Sequence, residues 1–128
     1  LPPTCPLRNT DDVKKCLLAL DEKTDFVVTM SAAKRDPSFN MVKLKNNGCI
    51  DLLKQEHTNI IRRQDSRKIF DLTTGCYVSR PNFILERQNF WGGRIRGILM
   101  PEERAIDIDT KLDFKIAKYL IENKRKSL

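Results

Sequence analysis

The apolar and polar positions in the first third of the chain predict a helix followed by a buried strand. Apolar side chains recur at helical spacing over residues 11–21, which places them on one face of a helix. Thr10 is the predicted N-cap, because a hydroxyl suits that position and two aspartates follow it in the first turn. Phe26–Met30 is a short, nearly continuous apolar run. Such a run predicts a strand that is buried on both faces of an α/β sheet.

The next segment has the pattern of a β-hairpin. Apolar residues alternate with polar ones from Phe39 to Lys45, and a second apolar segment follows at Cys49–Leu53. Asn46–Gly48 lies between them, and these residue types tolerate the positive φ of a tight turn. Residues 54–68 are polar and basic with little periodicity, so they are predicted to form an extended arm or a loop.

The second half of the chain mixes strands with helices. The predicted elements are, in order, a strand at Cys76–Val78, a short helix at Pro81–Glu86, and strands at Ile95–Met100 and Ala105–Ile108. Thr110 and Asp113 have the spacing of a capping box at the start of a final helix. Strands that alternate with helices, together with one hairpin, indicate an α/β fold.

Length and composition exclude several classes of protein. The chain has 128 residues, 40% of them hydrophobic, which suits one domain. No apolar run approaches the roughly 18 residues of a membrane-spanning helix, and no charged-then-apolar leader pattern is visible in these residues, so secretion is not expected. The four cysteines form no metal-ligand motif, and they are too sparse for a disulfide scaffold, so reduced thiols and a cytoplasmic location are expected. His57 is the only histidine, which excludes a zinc site built on histidines.

The charge of the chain points to an anionic partner. Lys and Arg number 24 against 17 acidic residues, a net charge of +7. Nucleic acid, a membrane surface and a phosphate-bearing small molecule all fit such a charge, as does an ordinary solvated surface. Aromatic residues are not interleaved with the basic ones, as a base-stacking surface requires. Binding to nucleic acid is therefore not expected.

The segment Ile106–Asp109 contains the most informative short motif. If it is a strand, its side chains alternate, so that Asp107 and Asp109 share one face while the isoleucines face the core. Two carboxylates at a strand end can share Mg²⁺, which takes few protein carboxylates and completes its shell with phosphates and water. The alternative is that both aspartates are only the outward half of an edge strand.

Two further segments are candidates for anion or substrate binding. Arg62–Gln64 offers guanidinium groups, whose planar donors suit carboxylates and phosphates. Pro3–Arg8 is a stiff loop after a predicted strand end, where open α/β sheets bind ligands. A solvated basic loop and an ordinary turn are the alternatives for these two segments. Cys5 and Cys76 are expected to be buried thiols rather than nucleophiles, since no histidine partner can be assigned to them.

Taken in order, these segments resemble one enzyme family. They are PTCPLR (residues 3–8), a hairpin, RRQ (62–64), a strand that carries Tyr77, and PEERAIDIDTKLDFKIA (101–117). The set resembles the acylneuraminate cytidylyltransferases, or CMP-sialic acid synthetases, which carry PTSPLR and a terminal SIDIDTELDF. The resemblance runs from Leu1 to about Ile121. DLTTGCYV (71–78) resembles the branch that handles bacterial nonulosonic acids such as legionaminic acid.

The resemblance implies a fold and a reaction. The fold is a three-layer, nucleotidyltransferase-like α/β arrangement with a mixed sheet and a β-hairpin dimerisation arm. The reaction is attack of the anomeric hydroxyl of a sialic-acid-like sugar on the α-phosphate of CTP, which releases pyrophosphate and requires Mg²⁺. Residues 31–70 correspond to the dimerisation insert of the family, so a homodimer that shares its active sites is expected.

The same resemblance assigns roles to individual residues. Asp107 and Asp109 correspond to the metal-binding pair. The residues implied in substrate binding are Thr4, Cys5, Arg8, Arg63, Gln64 and Tyr77. Thr4, Cys5 and Arg8 belong to a loop that forms one wall of the pocket, and Arg63 corresponds to an arginine that reaches toward the sugar acid from the dimerisation segment.

The sequence also departs from the family. Members begin with a glycine-rich A-R-x-G-S-K-G segment that holds the CTP phosphates, and no segment here resembles it. Residues 1–128 are therefore expected to be the C-terminal portion of a cytidylyltransferase domain whose N-terminal half is missing, and to be inactive alone. Pro2 stands where the family has glutamine, and Cys5 where it has serine. The alternative function is a non-catalytic dimerising or binding remnant of the family.

Overall fold

The computed structural model describes residues 1–54, 68–86 and 90–126 of the chain. Its helices are α1 (Thr10–Ala19), α2 (Pro81–Glu86) and α3 (Lys111–Lys126), and its strands are β1 (Phe26–Ala32), β2 (Val42–Leu44), β3 (Ile50–Leu52), β4 (Phe70–Ser79) and β5 (Ile95–Leu99). Single 3₁₀ turns occur at Phe90–Gly92 and Glu102–Arg104. This mixture of helices and strands confirms the α/β class.

The chain divides into two compact units. Unit 1 comprises Leu1–Ser31 and Asp71–Leu128, and unit 2 comprises Ala32–Phe70. Unit 2 covers nearly the same stretch as residues 31–70, which the family resemblance assigns to a dimerisation insert. The role of that stretch in dimerisation stays a prediction, as does the three-layer arrangement of the whole fold.

Unit 1 is built on a mixed three-stranded sheet in the order β4-β1-β5. β1 and β5 are parallel, with Phe26 opposite Ile95 and Met30 opposite Leu99. β1 and β4 are antiparallel, as two side-chain contacts between them show. The Thr29 and Thr73 hydroxyls are 2.8 Å apart, and near the start of β1 the Ser79 hydroxyl donates to the Asp25 carbonyl at 3.2 Å. β1 is therefore the central strand, which explains why its residues are nearly all buried.

Helix α1 packs on the sheet through small side chains. Cys16 and Ala19 of the helix join Val27 and Cys76 of the sheet in the buried core. The predicted N-cap, Thr10, is one residue later than the observed one. Asn9 is the N-cap, because its side chain accepts from the Asp12 backbone N–H at 3.0 Å and its own N–H donates to Asp12 Oδ2 at 3.0 Å. This reciprocal pair is a capping box that satisfies two backbone donors at once.

The sheet is pinned at Thr29, a fully buried residue in the middle of β1. Its hydroxyl accepts from the Cys76 backbone N–H at 3.0 Å and from the Thr73 hydroxyl at 2.8 Å, and donates to the Thr73 carbonyl at 3.2 Å. Gly75 lies beside it, where an added Cβ would be 2.8 Å from Thr29 Oγ1 and 2.3 Å from Met100 Sδ. Only glycine allows β4 to approach β1 and Met100 this closely.

The predicted strand at Ala105–Ile108 is wrong. Residues 105–109 have no regular secondary structure. A strand exists only where a neighbour pairs with it. Within the described residues, the Ala105 N–H donates to the nearby Glu102 carbonyl at 3.1 Å, and a single long-range backbone bond, from Ile108 N–H to the Thr4 carbonyl at 2.8 Å, joins this segment to another part of the chain. Chain geometry in this segment is therefore set by individual side-chain and loop contacts rather than by a sheet ladder.

Helix α3 begins as its sequence predicted. The Thr110 backbone N–H donates to Asp113 Oδ2 at 2.7 Å, and the Asp113 N–H donates to the Thr110 hydroxyl at 3.2 Å. Hydrogen bonds from the Thr110 hydroxyl and backbone hold the pKa of Asp113 below its usual value. The apolar face of α3 is only partly covered, since Ala117 is buried while Leu112 is 65% exposed.

Unit 2 contains the predicted hairpin. β2 and β3 are antiparallel, and Val42 pairs with Leu52 and Leu44 with Ile50. Gly48 takes φ +80°, the left-handed conformation that its turn requires. Lys45 and Asp51 form an exposed ion pair at 2.7 Å across the hairpin. Within the described parts of the chain, no helix has both the length and the apolar character needed to cross a membrane.

The burial of the cysteines leads to a prediction about their reactivity. Burial, and then the neighbouring Cys76 thiol, raise the pKa of Cys16 to about 12, so very little of the reactive thiolate forms there at pH 8. Cys49 is exposed, whereas Cys5, Cys16 and Cys76 are buried. We expect iodoacetamide to modify Cys49 alone in the native protein, as measured by mass spectrometry of its peptides. Modification of Cys16 at a similar rate before unfolding would contradict this packing.

Candidate active site

Four of the predicted site residues, Thr4, Cys5, Arg8 and Asp107, come together after the carboxyl end of β5. The residues that meet there, called the strand-end cluster below, are Thr4, Cys5, Arg8, Asp12, Arg104 and Asp107. The cluster joins the N-terminal loop, the first turn of α1 and the segment between β5 and α3. Open α/β sheets bind ligands beyond the carboxyl ends of their parallel strands, and this cluster lies at that edge.

Cys5 lies at the centre of the strand-end cluster and is fully buried. Its Sγ donates to the Arg104 carbonyl at 3.3 Å. Burial raises the pKa of this thiol. The Arg8 guanidinium opposes that effect, and the Asp107 and Asp12 carboxylates add to it. Cys5 is therefore a neutral hydrogen-bond donor that fastens the N-terminal loop, as the buried-thiol prediction requires.

Arg8 brings a positive charge into the cluster while it holds the loop in place. Its Nη1 donates to the carbonyls of Pro2 and Gly75, the latter at 3.2 Å. Both of these bonds use one of the three guanidinium nitrogens. Since a guanidinium has five N–H donors in a rigid fork, a half-buried Arg8 held in this way has the geometry to bind an anion through its other donors.

Asp12, which is buried, forms an ion pair with the partly buried Arg104. Arg104 Nε donates to Asp12 Oδ2 at 3.0 Å and Nη2 to Oδ1 at 2.9 Å. Asp12 is only 2% exposed. Burial raises the pKa of Asp12, but hydrogen bonds from Arg104 and from the Asn9 backbone outweigh it, so the pKa lies below its usual value. Asp12 is therefore a buried carboxylate that stays charged at neutral pH.

The two aspartates of the D-x-D motif differ in their surroundings. Asp107 is half-buried, and its Oδ1 is inaccessible to solvent and has no hydrogen-bond partner among the residues that the structure describes. Asp109 is exposed, and its backbone N–H donates to Asp113 Oδ2 at 3.3 Å. Because no strand forms here, the strict alternation that would place both carboxylates on one face does not apply.

Tyr77 lies in a different environment from the strand-end cluster. Its ring stacks on Phe26 with centroids 6.2 Å apart, and Phe26 begins β1, whereas the cluster lies where the parallel strands end. Tyr77 also lines an apolar cavity of about 340 Å³ together with Phe26, Leu72 and Trp91. Arg63 and Gln64 lie outside the described residues, and so does most of the predicted arm at 54–68.

Two curated proteins are similar to this chain. A post-translational flagellin modification protein B from Campylobacter coli is 29% identical over 122 residues, which are 94% of this chain and 51% of that protein. A CMP-N,N'-diacetyllegionaminic acid synthase from Campylobacter jejuni is 34% identical over 101 residues, which are 79% of this chain and 42% of that protein. The chain is related to the CMP-nonulosonate synthases. The resemblance found in the motifs is thus confirmed.

The relatives that match this chain are longer than the chain itself. The chain spans about half the length of the curated relatives that it matches. No protein-family model matches it.

The Asp107 carboxylate in the strand-end cluster suits the Mg²⁺ that the family resemblance implies. Within the described residues, no three His, Cys, Asp or Glu side chains are placed to enclose a metal ion. Mg²⁺ does not need such a cage, since it is commonly held by one or two carboxylates with phosphate and water oxygens. A buried carboxylate oxygen without a partner is costly unless a cation or a donor meets it. Asp107 Oδ1 is such an oxygen.

Sequence reasoning missed two parts of this site. The Asn9–Asp12 capping box had a visible signal, since an N-cap residue type is followed three positions later by an acid, but Thr10 was preferred. The Asp12–Arg104 pair had no signal, because its members are 92 positions apart and either charge alone is typical of a solvated surface.

Proposed function

We propose that this chain supplies part of the active site of a CTP-dependent nucleotidyltransferase, which activates a sialic-acid-like nonulosonic acid as its CMP-sugar. The observation that carries the proposal is the buried Asp107 Oδ1, which has no hydrogen-bond partner among the described residues and lies in the segment that resembles the metal-binding motif of the family. The similarity to the Campylobacter jejuni CMP-N,N'-diacetyllegionaminic acid synthase supports this reaction class and this class of sugar.

In the proposed reaction, the anomeric hydroxyl of the sugar acid attacks the α-phosphorus of CTP. A new P–O bond forms, the bond to the β-phosphate oxygen breaks, pyrophosphate leaves, and the hydroxyl proton passes to solvent or a base. Asp107, assisted by Asp109, would hold Mg²⁺. The bound ion supplies positive charge to the phosphate oxygens.

The other residues of the strand-end cluster bind and orient the substrates. Arg8, held by the Pro2 and Gly75 carbonyls, offers its other donors to the carboxylate of the sugar acid or to a phosphate. Thr4 and Cys5 form the wall beside it, and the bonds from Ile108 N–H to the Thr4 carbonyl and from Cys5 Sγ to the Arg104 carbonyl keep that wall fixed. Arg63, Gln64 and Tyr77 remain proposed substrate ligands by resemblance alone.

Unit 2 is the proposed dimerisation insert. Its hairpin exposes large apolar side chains: Val42 is 50% exposed, Leu44 76% and Ile50 61%. A second copy of the protein would cover such residues, which are costly to leave in water. The homodimer is thus supported by the apolar character of β2 and β3.

The test is pyrophosphate release by the protein as its gene encodes it. The reaction contains CTP, Mg²⁺ and N,N'-diacetyllegionaminic or N-acetylneuraminic acid, and the control omits the sugar. We expect sugar-dependent pyrophosphate release that EDTA abolishes. A stable dimer that releases no pyrophosphate with either sugar, and whose melting temperature does not rise with CTP and Mg²⁺, would contradict the proposal and favour the non-catalytic remnant.

A further inference from the structure

Asp107 lies in a segment whose position depends on a small number of contacts. Residues 105–109 have no regular secondary structure. The Arg104 carbonyl accepts from Cys5 Sγ at 3.3 Å on one side of Asp107, and Ile108 N–H donates to the Thr4 carbonyl at 2.8 Å on the other. Asp107 thus lies between two points at which this segment is attached to the N-terminal loop.

A third attachment is the Asp12–Arg104 pair. Its two parallel hydrogen bonds, 3.0 and 2.9 Å, fix both the distance and the rotation of the guanidinium relative to the carboxylate. Asp12 is in turn fixed by its place in the first turn of α1, where it accepts from the Asn9 N–H at 3.0 Å. The pair therefore transmits the position of α1 to Arg104, three residues before Asp107.

The environment of Asp107 explains why such an attachment is needed. Its buried Oδ1 lacks a partner within the described residues, and a carboxylate oxygen in that state gains free energy by moving into water. A segment without sheet pairing would make that movement easily. A rigid attachment next to it opposes the movement and keeps the oxygen where a cation can meet it.

We propose that Asp12 and Arg104 are positioning residues that hold the Asp107 carboxylate in its metal-binding place. The proposal rests on the proposed function, since Asp107 must be the metal ligand for the position to matter in catalysis. A buried ion pair is in general weak support for stability, because an apolar pair of similar size often serves as well. A role in positioning Asp107 accounts for the charged, two-bond contact between Asp12 and Arg104.

The test removes the two-bond geometry of the Arg104 guanidinium but keeps its positive charge, in the protein as its gene encodes it. In Arg104→Lys, Asp12 still has a cationic partner and the fold is retained, but the second parallel bond is lost. Arg94→Lys is the matched control, because Arg94 binds Asp25 with the same two-bond geometry, 3.1 Å for each bond, away from the cluster. Asp12→Asn, which keeps the acceptor that caps α1, is the second variant.

Two measurements separate positioning from general stability. Mn²⁺ binding, followed by electron paramagnetic resonance, is expected to weaken about tenfold or more in Arg104→Lys and Asp12→Asn and to stay unchanged in Arg94→Lys. Hydrogen exchange of the Ile108 amide is expected to accelerate at least about tenfold in the first two variants, while amides of β1 keep their protection.

Each outcome bears on a different claim. Unchanged exchange at Ile108 in Arg104→Lys, or a uniform acceleration of all amides together with a lower melting temperature, would overturn the positioning role. If the unmodified protein binds no Mn²⁺ while Ile108 still responds to Arg104→Lys, the attachment is upheld and the metal site of the proposed function fails.

Discussion

Asp107→Asn is expected to lower CTP-dependent pyrophosphate release by more than about 100-fold, because loss of a ligand costs at least as much as loss of a residue that supports one. The melting temperature should stay the same or rise. In the metal-free protein Oδ1 is buried without a partner among the described residues, so removing its charge removes a destabilising term. Loss of activity without loss of stability is the signature of a functional carboxylate. Pyrophosphate release and thermal unfolding measure the two effects.

The matched control is Glu103→Gln, since Glu103 is an exposed acid in the turn that precedes the same segment. It should leave turnover within about twofold of the unmodified protein. Asp109→Asn is expected to lower activity as well, with a smaller effect on stability because Asp109 is exposed. Near-normal turnover in both Asp107→Asn and Asp109→Asn would remove the metal-site assignment.

Gly75→Ala is expected to destabilise the protein by about 2 kcal/mol or more, a typical cost of overpacking a filled core. The added Cβ would be 2.3 Å from Met100 Sδ and 2.8 Å from Thr29 Oγ1. Met100 is 2% exposed and Thr29 is fully buried, so neither side chain can move into solvent. Chemical denaturation of the two proteins measures the difference in the free energy of unfolding.

A double-mutant cycle tests the cause of that destabilisation. Met100→Ala leaves a cavity and costs about 2–5 kcal/mol alone, but it also makes room for the new methyl group. Gly75→Ala with Met100→Ala should therefore cost at least about 1 kcal/mol less than the sum of the single changes. Strict additivity would show that the destabilisation arises elsewhere, for example from the register of β4 against β1.

The sequence pattern correctly predicted those elements whose conformation is determined by residues close together in the chain. The apolar run in β1 is a strand, Gly48 takes the positive φ of its hairpin turn, and Thr110 caps α3. In each case residues within a few positions determine the conformation. The start of α1 was one residue off because Asn9 and Thr10 are both good N-caps, and only the bonds to Asp12 distinguish them.

Features that depend on distant partners could not be predicted in this way. Alternation at Ile106 and Ile108 suggested a strand, but pairing requires a neighbour, and the sequence contains no local sign of which segment lies alongside. The family resemblance implied a metal-binding role for Asp107 but could not show that its Oδ1 is buried. The fork between Asp12 and Arg104 joins positions 92 apart and became visible only in the fold.

The order of strands in the sheet has a consequence for synthesis of the chain in the cell. β1 pairs in parallel with β5, and contacts at the start of that pair join residues 69 positions apart, such as Asp25 and Arg94. At about 5–20 residues per second, the ribosome completes β5 roughly 3–14 s after β1. Its antiparallel neighbour β4 emerges earlier. The nascent β1 can thus pair with β4 before β5 is available, which leaves its other edge open to chaperones or to aggregation until β5 arrives.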